Sequence, residues 1–209
     1  MCGFSSAASA NGFNDGDLNN AQKGHMQRII DLTLDNETAL QQTAQLLFES
    51  FQTLSPNAWP TLTDAQEEVL ASLTRDHISR IAVDGSGNVM GWVGGISQYD
   101  GHTWELHPLV VHAAMRGRGV ARALVNDLEA IVKTRGGTTL WLGTDDEDNR
   151  TTLAGVDLYP DVWKHIRAIK NLRAHPFEFY QKLGFAIVGV LPDANGLGKP
   201  DIFMAKRIT

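Results

Sequence analysis

Apolar residues along the chain follow two spacings, and each predicts a different kind of element. Short apolar runs between turn residues predict strands, and apolar residues at every third or fourth position predict amphipathic helices. The predicted strands are Arg28–Leu34, Ile78–Val83, Val89–Ile96, Trp104–Val111, Thr138–Gly143, Phe185–Leu191 and Ile202–Arg207. The predicted helices are one that starts within Asp35–Thr38 and buries Leu40, Ala44, Leu47 and Phe51, and then Thr63–Leu73, Val120–Val132 and Pro176–Leu183.

Strands and helices interleave along the chain, with one hairpin early. Asp84–Asn88 separates two apolar strands and has the composition of a hairpin turn. Leu54–Leu62 contains two prolines and predicts a loop that displays Trp59. The expected fold class is α/β (α+β), with a mixed central β-sheet flanked by helices.

The length of 209 residues suits one domain with a tail. Residues 1–26 are rich in small and polar residues and predict a flexible N-terminal extension. Gly24-His25-Met26 looks like a cloning remnant before a second start, so we exclude the extension from the fold. The predicted folded domain therefore covers residues 27–209.

Composition narrows the class of partner. The chain has 18 Lys+Arg against 24 Asp+Glu, which gives no support to nucleic-acid binding and weakly favours a cationic partner. The single cysteine, Cys2, excludes an internal disulfide framework and a Cys-rich zinc site, and the histidine spacing predicts no metal. No apolar run predicts a membrane span or a secretory signal, so a cytoplasmic location is expected.

One motif predicts a binding site for an anion. Residues Arg116-Gly117-Arg118-Gly119-Val120-Ala121 lie between an apolar strand and an amphipathic helix. Two glycines let the backbone approach an anion, the helix N-terminus offers unpaired N–H groups, and the arginines supply positive charge. The motif predicts a pyrophosphate cradle that is neither a Walker loop nor a dinucleotide fingerprint. A glycine-softened helix start with two surface arginines is the alternative.

A second motif, Glu178–Phe185, predicts a helix that ends at Gly184 and carries Tyr180 one turn before its end. Together with the cradle and the preceding strand, it resembles the GNAT superfamily of acyl-CoA-dependent N-acetyltransferases. Rarer motifs resemble one subgroup, the aminoglycoside 6'-N-acetyltransferases. These motifs are Trp104–Val111, Leu142–Asp146, Asn171–Pro176, Val188–Pro192 and Lys199–Ile202.

The resemblance implies a GNAT acyl-CoA N-acyltransferase fold with acetyl-CoA as cosubstrate. The backbone of Leu109 would then contact the thioester carbonyl, and Tyr180 would protonate the coenzyme A thiolate. Packing against the coenzyme is the other role open to Tyr180. The residues expected to bind the coenzyme are Leu109, Val110, Val111, Arg116, Gly117, Arg118, Gly119, Val120 and Ala121.

The resemblance also implies an acceptor site for a polycation. Glu105 and Asp148 are expected to contact ammonium groups, and Glu105 is either the acceptor of the amine proton or a purely electrostatic contact. His107 is either a general base or a structural residue. The residues expected to bind the substrate are Trp59, Tyr99, Glu105, His107, Asp145 and Asp148. Trp59 carries the weakest match, because Ser55–Pro60 looks longer than the pattern of the subgroup.

Two other functions remain open at this point. The same acidic site would suit a GNAT enzyme that acetylates a polyamine or another small amine, and a coenzyme A-binding regulatory domain would bind acetyl-CoA without transfer. A homodimer is expected from the resemblance. Phe185–Leu191 and Ile202–Ala205 would contribute to its interface, or they belong to the core.

Overall fold

A seven-stranded mixed sheet organises the chain in the computed structural model, which describes residues 27–52, 55 and 57–208. The predicted extension of residues 1–26 and parts of the predicted loop Leu54–Leu62 lie outside the described residues. The strands are β1 Arg28–Asp31, β2 His77–Val83, β3 Val89–Gln98, β4 Thr103–Val111, β5 Thr139–Asp145, β6 Ala186–Leu191 and β7 Asp201–Arg207. The helices are α1 Glu37–Phe51, α2 Leu62–Ala71, α3 Val120–Thr134, α4 Val162–Arg167 and α5 Phe177–Gln181.

The sheet has the order β1-β2-β3-β4-β5-β7-β6. Every neighbouring pair is antiparallel except β4 and β5, which are parallel. The β4–β5 pairing joins Thr103–Glu105 to Thr139–Trp141 and goes no further, although β4 continues to Val111 and β5 to Asp145. The two strands therefore separate in the middle of the sheet and leave the second half of β4 open on one side.

Helices cover both faces of the sheet. The amphipathic helix α3 buries Leu124, Leu128 and Val132 against one face, in a cluster that also contains Leu140 and Ile202. Helices α1 and α2 pack on the other face and form a second buried cluster with Ile81, Trp92 and Val110. Burial of these apolar side chains is the main favourable term in folding.

Strand β4 contains one residue more than the stretch of β3 that it pairs with. Val93 is opposite Leu109, whereas Gly95 is opposite Leu106. An extra residue changes which face the following side chains occupy. Trp104 and Leu106 accordingly pack with α3, whereas Val110 packs with α1 and α2, and Leu109 contacts the α3 cluster. The extra residue therefore moves the strand's side chains from one face to the other between Glu105 and Leu109.

The seven strands, the hairpin and the mixed α/β class predicted from the sequence are confirmed. Helix α2 begins at Leu62, one residue earlier than predicted, because Thr61 is its N-cap and forms a capping box with Asp64. Strand β1 ends at Asp31 rather than Leu34, and Pro176 is the N-cap of a shorter α5. Helix α4 is absent from the prediction. In the part of the chain that is described, no helix is long and apolar enough to cross a membrane.

The extra residue of β4 depends on a glycine in β3. A Cβ atom built on Gly94 would lie 2.1 Å from the backbone oxygen of His107. We expect Gly94→Ala to lower the free energy of unfolding by about 1–3 kcal/mol or more, because the backbone of β3 or β4 must shift. Denaturant unfolding measures this change. Gly85→Ala is the control, since a Cβ at Gly85 meets no atom within 4 Å, and equal losses in both variants would contradict the prediction.

Candidate functional site

The predicted pyrophosphate cradle forms the entry to helix α3. Gly117 and Gly119 have φ angles of 73° and 85°, a left-handed conformation that favours glycine. A Cβ at either glycine would meet no protein atom within 4 Å, so the loop faces open space. No side chain caps the start of α3 at Gly119. The first N–H groups of a 15-residue helix are thus directed at a site suited to phosphate oxygens.

The open half of β4 leads directly to this cradle. Leu109 and Val111 lie beyond the last residue of β4 that pairs with β5. Arg116 Nε donates to the backbone oxygen of Val111 at 3.4 Å, which links the cradle to the end of the strand. An extended ligand chain that carries amide groups could form strand-like hydrogen bonds with the open side of β4. The predicted coenzyme residues are thus continuous along one path.

Glu105 lies at the point where β4 and β5 begin to separate, opposite Trp141 of β5. Gln98 Nε2 donates to Glu105 Oε2 at 2.7 Å, and Trp141 Nε1 donates to Gln98 Oε1 at 3.0 Å. The indole orients the amide, and the amide orients the carboxylate. The half-buried Glu105 therefore has a fixed position and keeps its second oxygen available for a ligand.

The acidic loop (Asp145–Asp148) contains residues with different roles. Asp146 is fully buried, and its carboxylate accepts the backbone N–H groups of Arg150 and Thr151 at 2.6 and 2.8 Å. Asp148 is exposed, and its Oδ2 forms an ion pair with Arg150 Nη2 at 3.5 Å. Asp146 therefore holds the loop in shape, whereas Asp148 faces solvent.

Asp145 ends β5 on the same face as Glu105, and its position is fixed by His175. The Nδ1 atom of His175 accepts from the backbone N–H of Phe177 at 3.2 Å, so Nε2 carries the proton and donates to the Asp145 backbone oxygen at 3.0 Å. Burial lowers the pKa of His175, which keeps the imidazole neutral. The side chain of Asp145 accepts from Asn195.

The aromatic residues of the predicted acceptor site occupy its border. The ring of Trp59 packs on Phe51 at 4.6 Å between centroids and on His107 at 5.9 Å. The structure thus brings Trp59, the weakest match, next to a predicted site residue. Tyr99 is exposed in the turn after β3, one residue beyond Gln98.

Tyr180 lies in α5 and is 8% exposed, with its ring against Phe179 and Phe185. Burial raises the pKa of its phenol far above the ordinary value. Such a phenol keeps its proton at neutral pH and is a weaker acid than an ordinary tyrosine. Of the two roles predicted for Tyr180, the raised pKa favours packing over proton donation.

Sequence reasoning assigned no role to Asp201, although it lies in one of the quoted motifs. Asp201 is the β7 partner of Asp145, and its carboxylate lies over Gly143, where a Cβ would be 2.5 Å from one oxygen. Its Oδ1 is buried and has no hydrogen-bond partner in the structure. Burial, with Asp145 and then Glu105 nearby, raises the pKa of Asp201 to about 6. Asp201 lies beside Asp145 because of the register between β5 and β7, and the sequence alone does not specify that register.

Comparison with known proteins identifies the family. Residues 40–154 match the model of the acetyltransferase (GNAT) family. The chain belongs to the GNAT family. It is 42% identical to an aminoglycoside 6'-N-acetyltransferase in complex with coenzyme A, covering 87% of this chain and 97% of that one, with a TM-score of 0.80.

Other solved structures of this GNAT subgroup agree. The aminoglycoside 6'-N-acetyltransferase from Enterococcus faecium is 42% identical, with a TM-score of 0.79. An aminoglycoside 6'-acetyltransferase of type Ii is 35% identical, with a TM-score of 0.66. Both comparisons cover 87% of this chain and 97% of the other chain. The predicted family and its fold are thereby confirmed.

The Asp201 carboxyl predicts a pH-dependent effect on stability. Its pKa is raised from 3.8 to about 6 by folding, so the folded state is favoured while the group is protonated and loses this advantage as the pH rises through 6. We expect Asp201→Asn to remove that loss. The gain in unfolding free energy should be about 1–2 kcal/mol larger at pH 8 than at pH 4, after solvent screening of a partly exposed group. Denaturant unfolding at both pH values measures it, and equal gains would contradict the assignment.

Proposed function

We propose that the chain is an acetyl-CoA-dependent N-acetyltransferase that acetylates the 6'-amino group of aminoglycosides. The observation that carries the proposal is the 42% identity to an aminoglycoside 6'-N-acetyltransferase over nearly the whole of that chain. The acidic sheet face adjoining the opening between β4 and β5 supports it, since an aminoglycoside is a polycation. Acetylation removes one positive charge from the drug and weakens its binding to an anionic target, which is the basis of resistance.

On the coenzyme side, the cradle at the start of α3 binds the pyrophosphate. Gly117 and Gly119 allow the close approach, and the N–H groups of Val120 and Ala121 donate to the phosphate oxygens. Arg116 and Arg118 add positive charge. Leu109, Val110 and Val111 hold the extended pantetheine arm along the open side of β4.

On the acceptor side, Glu105 and Asp148 bind ammonium groups of the substrate. Asp145 and Asp201 add negative charge on the same side of the sheet, and Trp59, Tyr99 and His107 shape the border of the site. The buried and unpartnered oxygen of Asp201 makes this face more favourable for a polycation than for a neutral sugar. The recognition is mainly electrostatic.

In the reaction, the neutral 6'-amine attacks the thioester carbonyl and the thiolate leaves. The backbone N–H of Leu109 donates to the carbonyl oxygen as negative charge develops there. Glu105 accepts the amine proton directly or through water, with His107 as the second candidate base. Tyr180 either donates a proton to the leaving thiolate or packs against the coenzyme, and its raised pKa favours packing.

A substrate panel with two acidic-site variants tests this assignment. We expect turnover with kanamycin-like drugs and none with an aminoglycoside that lacks the 6'-amine. Glu105→Ala and Asp148→Ala should raise the drug KM by about 10–100-fold, because each removes a charged hydrogen-bond partner worth about 1.5–3 kcal/mol. Glu105→Ala should also lower kcat, because it removes the group that accepts the amine proton. The KM for acetyl-CoA should change little, since both residues lie away from the cradle.

The other outcomes of the panel identify the competing functions. Turnover with polyamines but with no aminoglycoside would assign the chain to a small-amine GNAT enzyme. Tight acetyl-CoA binding without transfer to any amine would make it a coenzyme-binding regulatory domain. Either result rejects the proposal. Because acetyl-CoA is made inside the cell, the proposal includes a cytoplasmic location.

The proposal also includes a homodimer formed through the sheet edge at β6. Val188 and Leu191 of this edge strand are 52% and 50% exposed, and Trp163 of the neighbouring α4 is 55% exposed. Exposed apolar residues on an unpaired strand edge favour association with another chain. Phe185, Ile202 and Met204 are buried, which supports the alternative that these three residues belong to the core.

Light scattering tests the dimer. We expect the wild-type chain to have twice its monomer mass of 22.9 kDa, and Val188→Asp to shift it to the monomer by placing a charge in an apolar contact. Leu34→Asp is the control, because Leu34 is 67% exposed at the opposite side of the sheet. A monomeric wild-type protein would exclude the dimer.

A further inference from the structure

One hydrogen bond joins two loops that are far apart in the sequence. Ser55 Oγ donates to Glu147 Oε1 at 2.7 Å, across a separation of 92 residues. Ser55 belongs to the Trp59 turn (Ser55 and residues 57–60), which follows α1. Glu147 belongs to the acidic loop. The bond therefore connects the two loops that carry Trp59 and Asp148.

The Trp59 turn is organised around Ser55. The backbone N–H of Ser55 donates to the Phe51 oxygen, and the Ser55 oxygen accepts from the N–H of Ala58, each at 3.0 Å. Trp59 then packs on Phe51 and on His107. A movement of Ser55 would consequently move Trp59 relative to β4.

The acidic loop is also anchored by hydrogen bonds, which involve Asp146, the residue before Glu147. The buried Asp146 accepts two backbone N–H groups, and the backbone of Asp146 donates to the Pro200 oxygen at 2.9 Å. Glu147 is thus a fixed acceptor, and the next residue is the exposed Asp148. A hydrogen bond to a charged acceptor is stronger than one between neutral groups, so this bond can hold the Trp59 turn against the acidic loop.

We propose that the Ser55–Glu147 hydrogen bond positions the Trp59 turn against the acidic loop and so shapes the acceptor site. Glu147 is then a positioning residue and not an ammonium ligand, although it has the same charge as its neighbour Asp148. This inference rests on the proposed function for the identity of the acceptor. It gives Ser55, in the segment that looks longer than the pattern of the subgroup, a contact with the acidic loop.

The test uses the full chain with four substitutions at the two positions. We expect Ser55→Ala and Glu147→Ala each to raise the aminoglycoside KM by about tenfold, which corresponds to the loss of one hydrogen bond to a charged group. The kcat and the acetyl-CoA KM should change less than twofold. The double variant should be no worse than either single variant, because both remove the same bond.

Glu147→Gln separates position from charge. The glutamine retains an oxygen that accepts from the Ser55 hydroxyl, so we expect a KM within about twofold of the wild type. Ser55→Thr retains the hydroxyl and should behave in the same way. Glu67→Ala is the matched control, since it removes one exposed negative charge from α2. The proposal is rejected if Glu147→Gln is as impaired as Glu147→Ala while Ser55→Ala is unchanged.

Amide hydrogen exchange tests the bond without any acceptor. The amides of Ser55 and Ala58 should exchange faster in Ser55→Ala and Glu147→Ala than in the wild type and in Glu67→Ala. If the wild-type enzyme acetylates a different amine, the proposed function fails but the KM for that amine still tests the positioning role. Faster exchange with no change in KM overturns that role, and so does unchanged exchange.

Discussion

The arrangement of the candidate site depends on the extra residue in β4. Side chains alternate strictly along a strand, so a strand without irregularity would place Glu105 and Leu109 on the same face. The extra residue between Leu106 and Leu109 breaks this alternation. Glu105 therefore lies on the acceptor face, while Leu109 contacts the cluster beneath α3, whose N-terminus forms the cradle. One strand thereby contributes to both halves of a two-substrate site, with the bond-forming region between them.

The separation of β4 and β5 serves the same arrangement. A parallel pair ordinarily hydrogen-bonds along its whole length, which would close the gap that we propose for the coenzyme. Here β5 instead continues its pairing with β7, from Thr139↔Arg207 to Asp145↔Asp201, so its far end remains ordered after it leaves β4. The open edge at Leu109 thus lies between two paired parts of the sheet, β3–β4 on one side and β5–β7 on the other. Asp145 and Asp201 are brought together at the end of that second pairing.

The acidic residues look equivalent in the sequence, but each has a different physical role in the structure. Asp146 satisfies buried backbone N–H groups, Glu147 accepts from Ser55, and Glu105 is oriented by Gln98. Asp201 is the exception, since burial beside another carboxylate raises its pKa to about 6. An unfavourable carboxylate of this kind is typical of functional sites, where a cationic ligand relieves the repulsion. The net charge of −6 says nothing about this division.

The sequence was informative where structure is local and uninformative where it depends on register or loop contact. The hairpin at Asp84–Asn88 and the Arg116–Ala121 cradle have short-range signals, because turn residues and glycines act on their own backbone. The short helix α4 contains no buried residue, and hence it shows no apolar stripe to detect. The role of Asp201 requires the β5–β7 register, and the Ser55–Glu147 contact joins residues 92 positions apart. In the proposed arrangement, the strands and the start of α3 carry the chemistry, whereas the Trp59 turn and the acidic loop shape the acceptor site. Substitutions that change the acceptor preference without loss of acetyl transfer should therefore concentrate in those two loops.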